Sequence, residues 1–235
     1  MNENLIPIKK PGSFFAANKK KGDSLIYYIK HLFQKVRHNN FIRLFLDGLS
    51  RLGVRITPFY LTLENFSGTE VSQYDTGYEE YQTGFVGPED MKIISALPIR
   101  TFSTENLLAK LEEGKVCFGV KHQGKLAAFT WGDFQECTFD GCPFSLKEDE
   151  AYLFDAYTLM EYRGRGLAPF ARYQFYKELQ KFGKTSLYSV TDCFNKSANR
   201  FKEKLGARNL EVGLYVKLFK RWKFRFMLKR YPEIK

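Results

Sequence analysis

The stretch EYRGRGLAPFARY, residues 161–173, has two arginines and two glycines directly before a helical pattern. Pro169 is tolerated only in the first turn of a helix, so this helix begins near Gly166 or Leu167. The first amides of a helix are unbonded and lie at the positive end of its dipole, where a phosphate can accept several hydrogen bonds. Turns of this composition also occur without a ligand. The stretch nevertheless predicts a pyrophosphate cradle, formed by Arg163, Gly164, Arg165, Gly166, Leu167 and Ala168.

The segments around this junction alternate between strand and helix patterns. A strand pattern at 151–159 precedes the cradle, and a helix over 167–182, a strand at 186–190, a helix from Asn195 to Gly206 and a strand at 212–219 follow it. Upstream, the sequence shows strand patterns near 58–64 and 78–85, followed by two short helices, the second capped by Ser103. The segments KVCFGV and KLAAFTWGDF come next. These last two segments predict an antiparallel hairpin, which is followed by a turn-rich insertion at 135–149.

Two motifs in this order resemble the GNAT superfamily of acyl-CoA-dependent N-acyltransferases. Arg163-x-x-Gly166-x-Ala168 matches its signature, Gln or Arg-x-x-Gly-x-Gly or Ala, and Asn195-x-x-Ala198 with KLG at 204–206 follows. The resemblance runs from about Tyr78 to Phe219. It implies an α/β (α+β) fold with a mixed, mostly antiparallel central sheet, split open in the middle and flanked by helices. A Rossmann fold would instead carry its glycine loop near the first strand.

The resemblance also implies a co-substrate, acetyl-CoA or another acyl-CoA. Its pantetheine arm would pair with the backbone around Leu159 and Met160, and its pyrophosphate would lie on the amides of 163–168. Asn195 would lie beside the cofactor arm. No metal site is predicted, because Cys137 and Cys142 have no Cys or His partners at zinc-finger spacing.

The candidate catalytic residues are Asp155, Tyr157 and Lys202. Many family members use a tyrosine seven residues after the matching Asn to protonate the sulfur, but that position holds Lys202. A lysine there is either a solvated surface charge or a catalytic group. Asp155 and Tyr157 alternate along a strand and should share a face opposite Phe154, with Tyr157 as a pocket wall. Asp155 is either a base whose pKa burial raises or a structural partner of a nearby group.

The net charge of +11 is concentrated at the two ends of the chain. Residues 1–60 carry 11 Lys and Arg against 3 acids, residues 217–235 carry 8 against 1, and residues 61–216 carry 18 against 22. The sequence therefore divides into a basic amphipathic helical extension at 1–56, a GNAT-like domain at 57–219 and a basic aromatic tail at 220–235. The extension comprises one helix after Ser24 and a second ending at Gly53, whose apolar faces either dock on the domain or lie in a membrane interface.

The predicted function is transfer of an acyl group, foremost acetyl, from coenzyme A to an amine, with an envelope or sugar precursor at the membrane face as a candidate acceptor. A non-catalytic acyl-CoA or membrane-binding protein and an acyl carrier protein donor are the alternatives. The basic ends suit an anionic membrane surface, which we favour, or an acyl carrier protein; nucleic acid is disfavoured because no reader motif is present. No apolar run approaches the roughly 18 residues that span a bilayer. We therefore expect a cytoplasmic protein, with peripheral association at the inner membrane face as an option.

Overall fold

The computed structural model describes residues 40–64, 73–97, 102–139, 144–219 and 221–232. The chain divides into two units, Met1–Phe45 and Leu46–Lys235, and every described strand belongs to the second. Helix α1, Asn40–Arg51, crosses the boundary between them and corresponds to the second predicted helix of the extension. The helix predicted after Ser24 lies outside the described residues.

Ten strands and four further helices follow in the described part of the chain. The strands are β1 (Val54–Glu64), β2 (Tyr81–Phe85), β3 (Val116–His122), β4 (Lys125–Asp133), β5 (Glu136–Cys137), β6 (Phe144–Ser145), β7 (Glu150–Thr158), β8 (Ser186–Asp192), β9 (Arg208–Leu218) and β10 (Trp222–Arg230). The helices are α2 (Met91–Ser95), α3 (Thr104–Glu112), α4 (Leu167–Lys181) and α5 (Lys196–Lys204). Among the helices of the described ranges, none is long and apolar enough to cross a membrane.

Eight of the strands form one sheet in the order β10-β9-β1-β8-β7-β4-β3-β2. Every neighbouring pair is antiparallel except β7 and β8, which run parallel. The predicted fold class, a mixed and mostly antiparallel sheet flanked by helices, is therefore confirmed. The turn-rich insertion contains a separate two-stranded ribbon, β5 and β6.

The sheet opens between its two parallel strands. β7 pairs with β8 at only three positions, where residues 150–152 lie beside residues 186–188. Beyond these positions β7 continues to Thr158 and β8 to Asp192 without pairing to each other. The unpaired backbone of β7 is a free edge inside the sheet, and such an edge can accept another extended group.

Helices α3 and α4 pack on opposite faces of the sheet. Phe175 of α4 stacks on Phe118 of β3 at 5.1 Å between ring centroids, and a Cβ added to Gly132 of β4 would lie 2.9 Å from the Phe175 ring. We call this side the α4 face. On the other side, the α3 face, the ammonium group of Lys110 lies over the ring of Trp131.

Residues 222–230 are a strand of the sheet and not the separate tail that the sequence predicted. β10 pairs with β9 along its length, with a register shift between Met227 and Lys229. At the other end of the domain, β1 begins at Val54, within the segment assigned to the extension. The C-terminal boundary was misplaced because β10 carries four basic residues, which resemble the charged end of the chain.

A β-bulge at Asp155 interrupts β7. Asp155 has a φ of 51°, in the left-handed region, and the register with β4 shifts there. Phe154 pairs with Trp131 and Tyr157 pairs with Phe129, so Phe154 and Tyr157 lie on the same face. The predicted alternation, with Tyr157 opposite Phe154, is therefore wrong, because the bulge adds one residue between them.

Candidate functional site

A cavity of about 740 Å³ lies where the free edge of β7 meets the N-terminal ends of α4 and α5. β7 contributes residues 156–158, and the junction before α4 contributes Arg163, Gly164 and Gly166. α5 and the residue before it contribute Asn195, Ala198 and Phe201. The predicted strand-to-helix junction and the second motif therefore border the same space.

The backbone of the cradle leaves its amides available for a ligand. Gly164 and Gly166 have φ values of 81° and 75°, which residues with a side chain rarely adopt. Gly166 is the N-cap of α4 and no side chain caps this helix. Within the described ranges, the amides of 164–168 donate to no backbone carbonyl. These donors, at the positive end of a 15-residue helix, suit an anion such as a pyrophosphate.

Tyr78 closes one side of the cradle, which the sequence analysis missed. Its ring stacks on Phe170 of α4 with centroids 4.1 Å apart. A Cβ added to Gly166 would lie 2.6 Å from the Tyr78 hydroxyl, whereas one added to Gly164 would meet nothing within 4 Å. Glycine at 166 therefore allows both the left-handed backbone and the close approach of Tyr78. An aromatic residue 88 positions upstream carries no local signal of this contact.

The cations around the cavity differ partly from those predicted. Arg163 lines the cavity, and its Nε donates to the carbonyl of Thr158 at 3.2 Å. Arg165 does not line it, and its guanidinium lies over the ring of Tyr162. Arg200 and Lys204 of α5 add two cations that the sequence analysis did not assign. Their spacing of four residues on one helix is the pattern that could have indicated them.

Leu159 and Met160 lie outside the cavity. The amide of Leu159 already donates to the carbonyl of Ala127 at 2.9 Å. Met160 starts a 3-10 turn, Met160–Tyr162, and its side chain is 68% exposed. The free edge that faces the cavity is formed by residues 156–158, directly before the predicted pair Leu159 and Met160, because β7 ends at Thr158.

Asn195 has the predicted position at the start of α5. Its Oδ1 accepts a hydrogen bond from the amide of Ala198 at 3.1 Å, so it caps this helix, and it also lines the cavity. The cap orients α5 so that Ala198 and Phe201 face the same space.

A comparison with protein-family models supports the predicted GNAT domain. The family model described as "Acetyltransferase (GNAT) family" matches residues 76–207, more than half of the chain. The chain belongs to the GNAT acetyltransferase family. No curated protein matches this chain. The GNAT match spans the free edge of β7, the cradle and α5.

One solved structure of a GNAT protein shares the fold at low sequence identity, and two others show weaker similarity. A tandem GNAT protein from the clavulanic acid biosynthesis pathway is 12% identical, with a TM-score of 0.51 over 78% of this chain and 58% of that one. A GNAT-family protein from Novosphingobium aromaticivorans is 20% identical, with a TM-score of 0.48 over 71% and 66%. The yncA protein of Salmonella typhimurium, solved with acetyl-CoA, is 18% identical, with a TM-score of 0.44 over 63% and 92%. The chain thus spans less than two thirds of the length of the first two.

Lys202 occupies the position of the usual GNAT tyrosine, but it is not a solvated surface charge. The residue is 5% exposed, and its Nζ donates to Ser189 at 2.6 Å and to the hydroxyl of Thr191, both on β8. Glu64 of β1 is fully buried, with Oε1 3.6 Å from the Lys202 Nζ. The interpretation of Lys202 as a solvated charge is therefore wrong, because β1 and β8 place a carboxylate and two hydroxyls beneath α5.

Two residues of α4 complete this cluster around Glu64. The hydroxyl of Tyr176 donates to the Glu64 carboxylate, and Arg172 Nε lies 3.5 Å from Glu64 Oε2. Burial alone would raise the pKa of Glu64, but Arg172 and Lys202, together with hydrogen bonds from Ser189 and Tyr176, outweigh it and lower that pKa. Burial lowers the pKa of Lys202 to about 8, with Arg172 adding to the effect and Glu64 opposing it. The cluster has two cations for one carboxylate, and the lysine is the cation whose pKa is lowered, to about 8.

The two candidates on β7 lie at and beyond the bulge. Asp155 is the bulge residue with the left-handed backbone, next to Ala156 on the cavity wall. Tyr157 lines the cavity, and its ring lies under the guanidinium of Arg163 at 5.4 Å. Within the described residues no group of three His, Cys, Asp or Glu side chains could hold a metal ion.

Proposed function

We propose that this GNAT protein is an N-acetyltransferase that moves the acetyl group of acetyl-CoA to an amine. The observation that carries the proposal is that one cavity joins a helix N-terminus with unbonded amides to the free edge of β7. A pyrophosphate needs the first feature, and an extended arm with amide groups needs the second. Coenzyme A has both parts in one molecule.

The residues present suit each part of this co-substrate. The amides of residues 164–168 would hold the pyrophosphate, while Arg163, Arg200 and Lys204 would balance its charge. The pantetheine amides would pair with the backbone of Ala156–Thr158, because this segment forms the unpaired edge at the cavity. Leu159 and Met160, the predicted partners, lie outside the cavity. Asn195 would lie beside the arm.

The reaction forms one C–N bond and breaks one C–S bond. A base removes one proton from the ammonium form of the acceptor, and the resulting neutral amine attacks the thioester carbonyl carbon. The thiolate of coenzyme A leaves, and the nitrogen releases a second proton to solvent as the amide forms. A backbone amide on the free edge of β7 would stabilise the oxyanion. Asp155 is our proposed base, since it directly precedes this edge, and Tyr157 is the wall that positions the thioester.

We assign Lys202 as the source of the proton that the thiolate takes up. Its pKa of about 8 is close to the ordinary thiol value of about 8.5, so the transfer costs little free energy. Ser189 and Thr191, which accept from Lys202, lie on the part of β8 that no longer pairs with β7. The proton would move through one of these hydroxyls toward the opening in the sheet.

The surface along β10 supports a membrane location for the acceptor. Phe219, Trp222, Phe224, Phe226 and Met227 are all at least 40% exposed. Residues 219–232 contain no Asp or Glu. Lys223 and Arg225 alternate with the aromatic residues and so project from the opposite face of the strand, where Arg225 donates to Glu211. An exposed aromatic face on a strand that carries only positive charges fits an anionic lipid headgroup layer. We therefore propose that β10 docks on such a membrane, where an amine-bearing envelope or sugar precursor would be the acceptor.

The test is a coupled measurement of binding and turnover. Calorimetric titration measures acetyl-CoA affinity, and release of free thiol in the presence of an amine panel measures transfer. We expect micromolar binding and amine-dependent thiol release. Binding without release for any amine would favour a non-catalytic GNAT protein, and no binding by folded protein would favour an acyl carrier protein donor.

A further inference from the structure

We propose that an aromatic pocket on the α3 face, formed by Phe102, Trp131 and Phe154, binds the ammonium group of the acceptor. This inference rests on the proposed function and names a subsite for its second substrate. The ligand class is a primary alkylamine in its cationic form. The side chain of Lys110 holds the same pocket in the free protein.

The three rings surround one cation. The Lys110 Nζ lies 4.1 Å from the Phe102 ring centroid, 5.3 Å from that of Trp131 and 5.6 Å from that of Phe154. Trp131 and Phe154 stack on each other at 6.2 Å. A cation within about 6 Å of a ring face is attracted by the negative face of the ring, and three rings add their attractions. The pocket is therefore suited to an alkylammonium group.

The pocket lies at the reacting end of the proposed acetyl-CoA site. Phe154 directly precedes the bulge residue Asp155, and Ala156, two residues on, lines the cavity. α4, whose N-terminal end holds the cradle, packs on the opposite face of the sheet from Lys110. An acceptor held in the pocket would reach the free edge of β7 from the α3 face, while the co-substrate reaches it from the cradle.

A ligand cation can displace Lys110 from the pocket. It would take over the contacts with the three rings that Lys110 gives up, and the flexible four-carbon lysine stem can swing aside. Trp131 is fully buried, and its indole N–H has no hydrogen-bond acceptor in the part of the chain described. A ligand that carries an oxygen beside its ammonium group would supply that acceptor. Lys110 thus covers the pocket without satisfying all of it.

The fluorescence of Trp131 provides a direct readout. The chain has two tryptophans, so Trp222→Phe leaves Trp131 as the only one, and Trp222 lies on β10, away from the pocket strands β4 and β7. We would titrate this full-length variant with n-butylammonium chloride at constant ionic strength, and with 1-butanol as the neutral control. We expect a saturable change in Trp131 emission with the cation and none with the alcohol.

Two further substitutions in this background separate cation binding from unrelated changes. Lys110→Ala should bind n-butylammonium at least about threefold more tightly, because the competing cation is gone. Phe154→Leu should bind it about fivefold more weakly, because one ring is lost. Acetyl-CoA affinity, measured by calorimetry, should be the same in both variants and shows that each is folded.

Several results would overturn the subsite. One is a response of Trp131 emission to 1-butanol that equals the response to n-butylammonium. Another is unchanged or weaker n-butylammonium binding in Lys110→Ala. The third is unchanged n-butylammonium binding in a Phe154→Leu variant that still binds acetyl-CoA. Failure of the proposed function looks different, because the protein would then bind n-butylammonium but release no thiol from acetyl-CoA. Failure of the subsite alone would leave acetyl-CoA binding and transfer to amines intact.

Discussion

Replacing Lys202 with Met tests the buried cluster through the pH dependence of stability. The pKa of Lys202 is about 8 in the folded protein and near 10.5 in the unfolded chain. Between these values the unfolded chain binds more protons than the folded one, so the free energy of unfolding rises with pH. Below pH 8 the burial of the charged Lys202 lowers the free energy of unfolding by about 3 kcal/mol, because each unit of pKa shift corresponds to about 1.4 kcal/mol. From pH 7 to pH 9 this one group should raise the free energy of unfolding by about 1 kcal/mol.

Urea denaturation at pH 7, 8 and 9 measures this rise. The difference between the wild type and Lys202→Met isolates Lys202, because every other titrating group is common to both. Lys202→Met should lack the increment of about 1 kcal/mol that the wild type gains. Lys204→Met, an exposed lysine on the same helix, should keep it. Parallel pH curves for the wild type and Lys202→Met would refute the argument that Lys202 is a buried cation with a lowered pKa.

Three further substitutions test the other parts of the account. Gly166→Glu should weaken acetyl-CoA binding at least tenfold by calorimetry, since it adds a negative charge and a Cβ against Tyr78 in the cradle; unchanged affinity in a folded variant would remove the cradle assignment. Asp155→Asn should lower the rate of thiol release about a hundredfold at unchanged acetyl-CoA affinity, and an equal rate would return Asp155 to a structural role in the bulge. The double substitution of Phe224 and Phe226 by Ser should reduce cosedimentation with phosphatidylglycerol vesicles, and wild-type binding would argue against β10 as a membrane surface.

The elements that position the cradle were predictable from local sequence. Pro169 limits where α4 can begin, and the helix does start at Leu167. Ser103 and Asn195 cap α3 and α5 as their residue types indicate, with side-chain oxygens that accept from the amides three positions on. Each of these signals acts within one turn of the chain, which is why a single sequence contains it.

The environment of Lys202 could not be predicted in the same way. Its partners come from three other elements, Glu64 on β1, Arg172 on α4 and Ser189 on β8. Nothing local distinguishes a lysine that will be buried from one on a helix surface, because the burial depends on how β1 packs 138 residues upstream. The interpretation of Lys202 as a solvated charge failed for a tertiary reason and not because the helix was misplaced.

The bulge and the last strand were missed for different reasons. In the sequence, Asp155 fits the alternating pattern of a regular strand. The bulge is seen only in the structure, from the left-handed backbone of Asp155 and the register shift. In β10 the alternation of aromatic and basic residues is visible in the sequence. It was assigned to a tail because its charge resembled that of the chain end, although the same alternation is typical of an edge strand with one exposed face.

The central claim is that the cradle and the free edge of β7 together bind an acyl-CoA. Calorimetric titration of the full-length protein with acetyl-CoA tests it most directly, with Gly166→Glu as the variant that places a carboxylate in the cradle. We expect a dissociation constant in the micromolar range for the wild type and binding at least about tenfold weaker in Gly166→Glu. A folded wild-type protein that binds neither acetyl-CoA nor a long-chain acyl-CoA would contradict it.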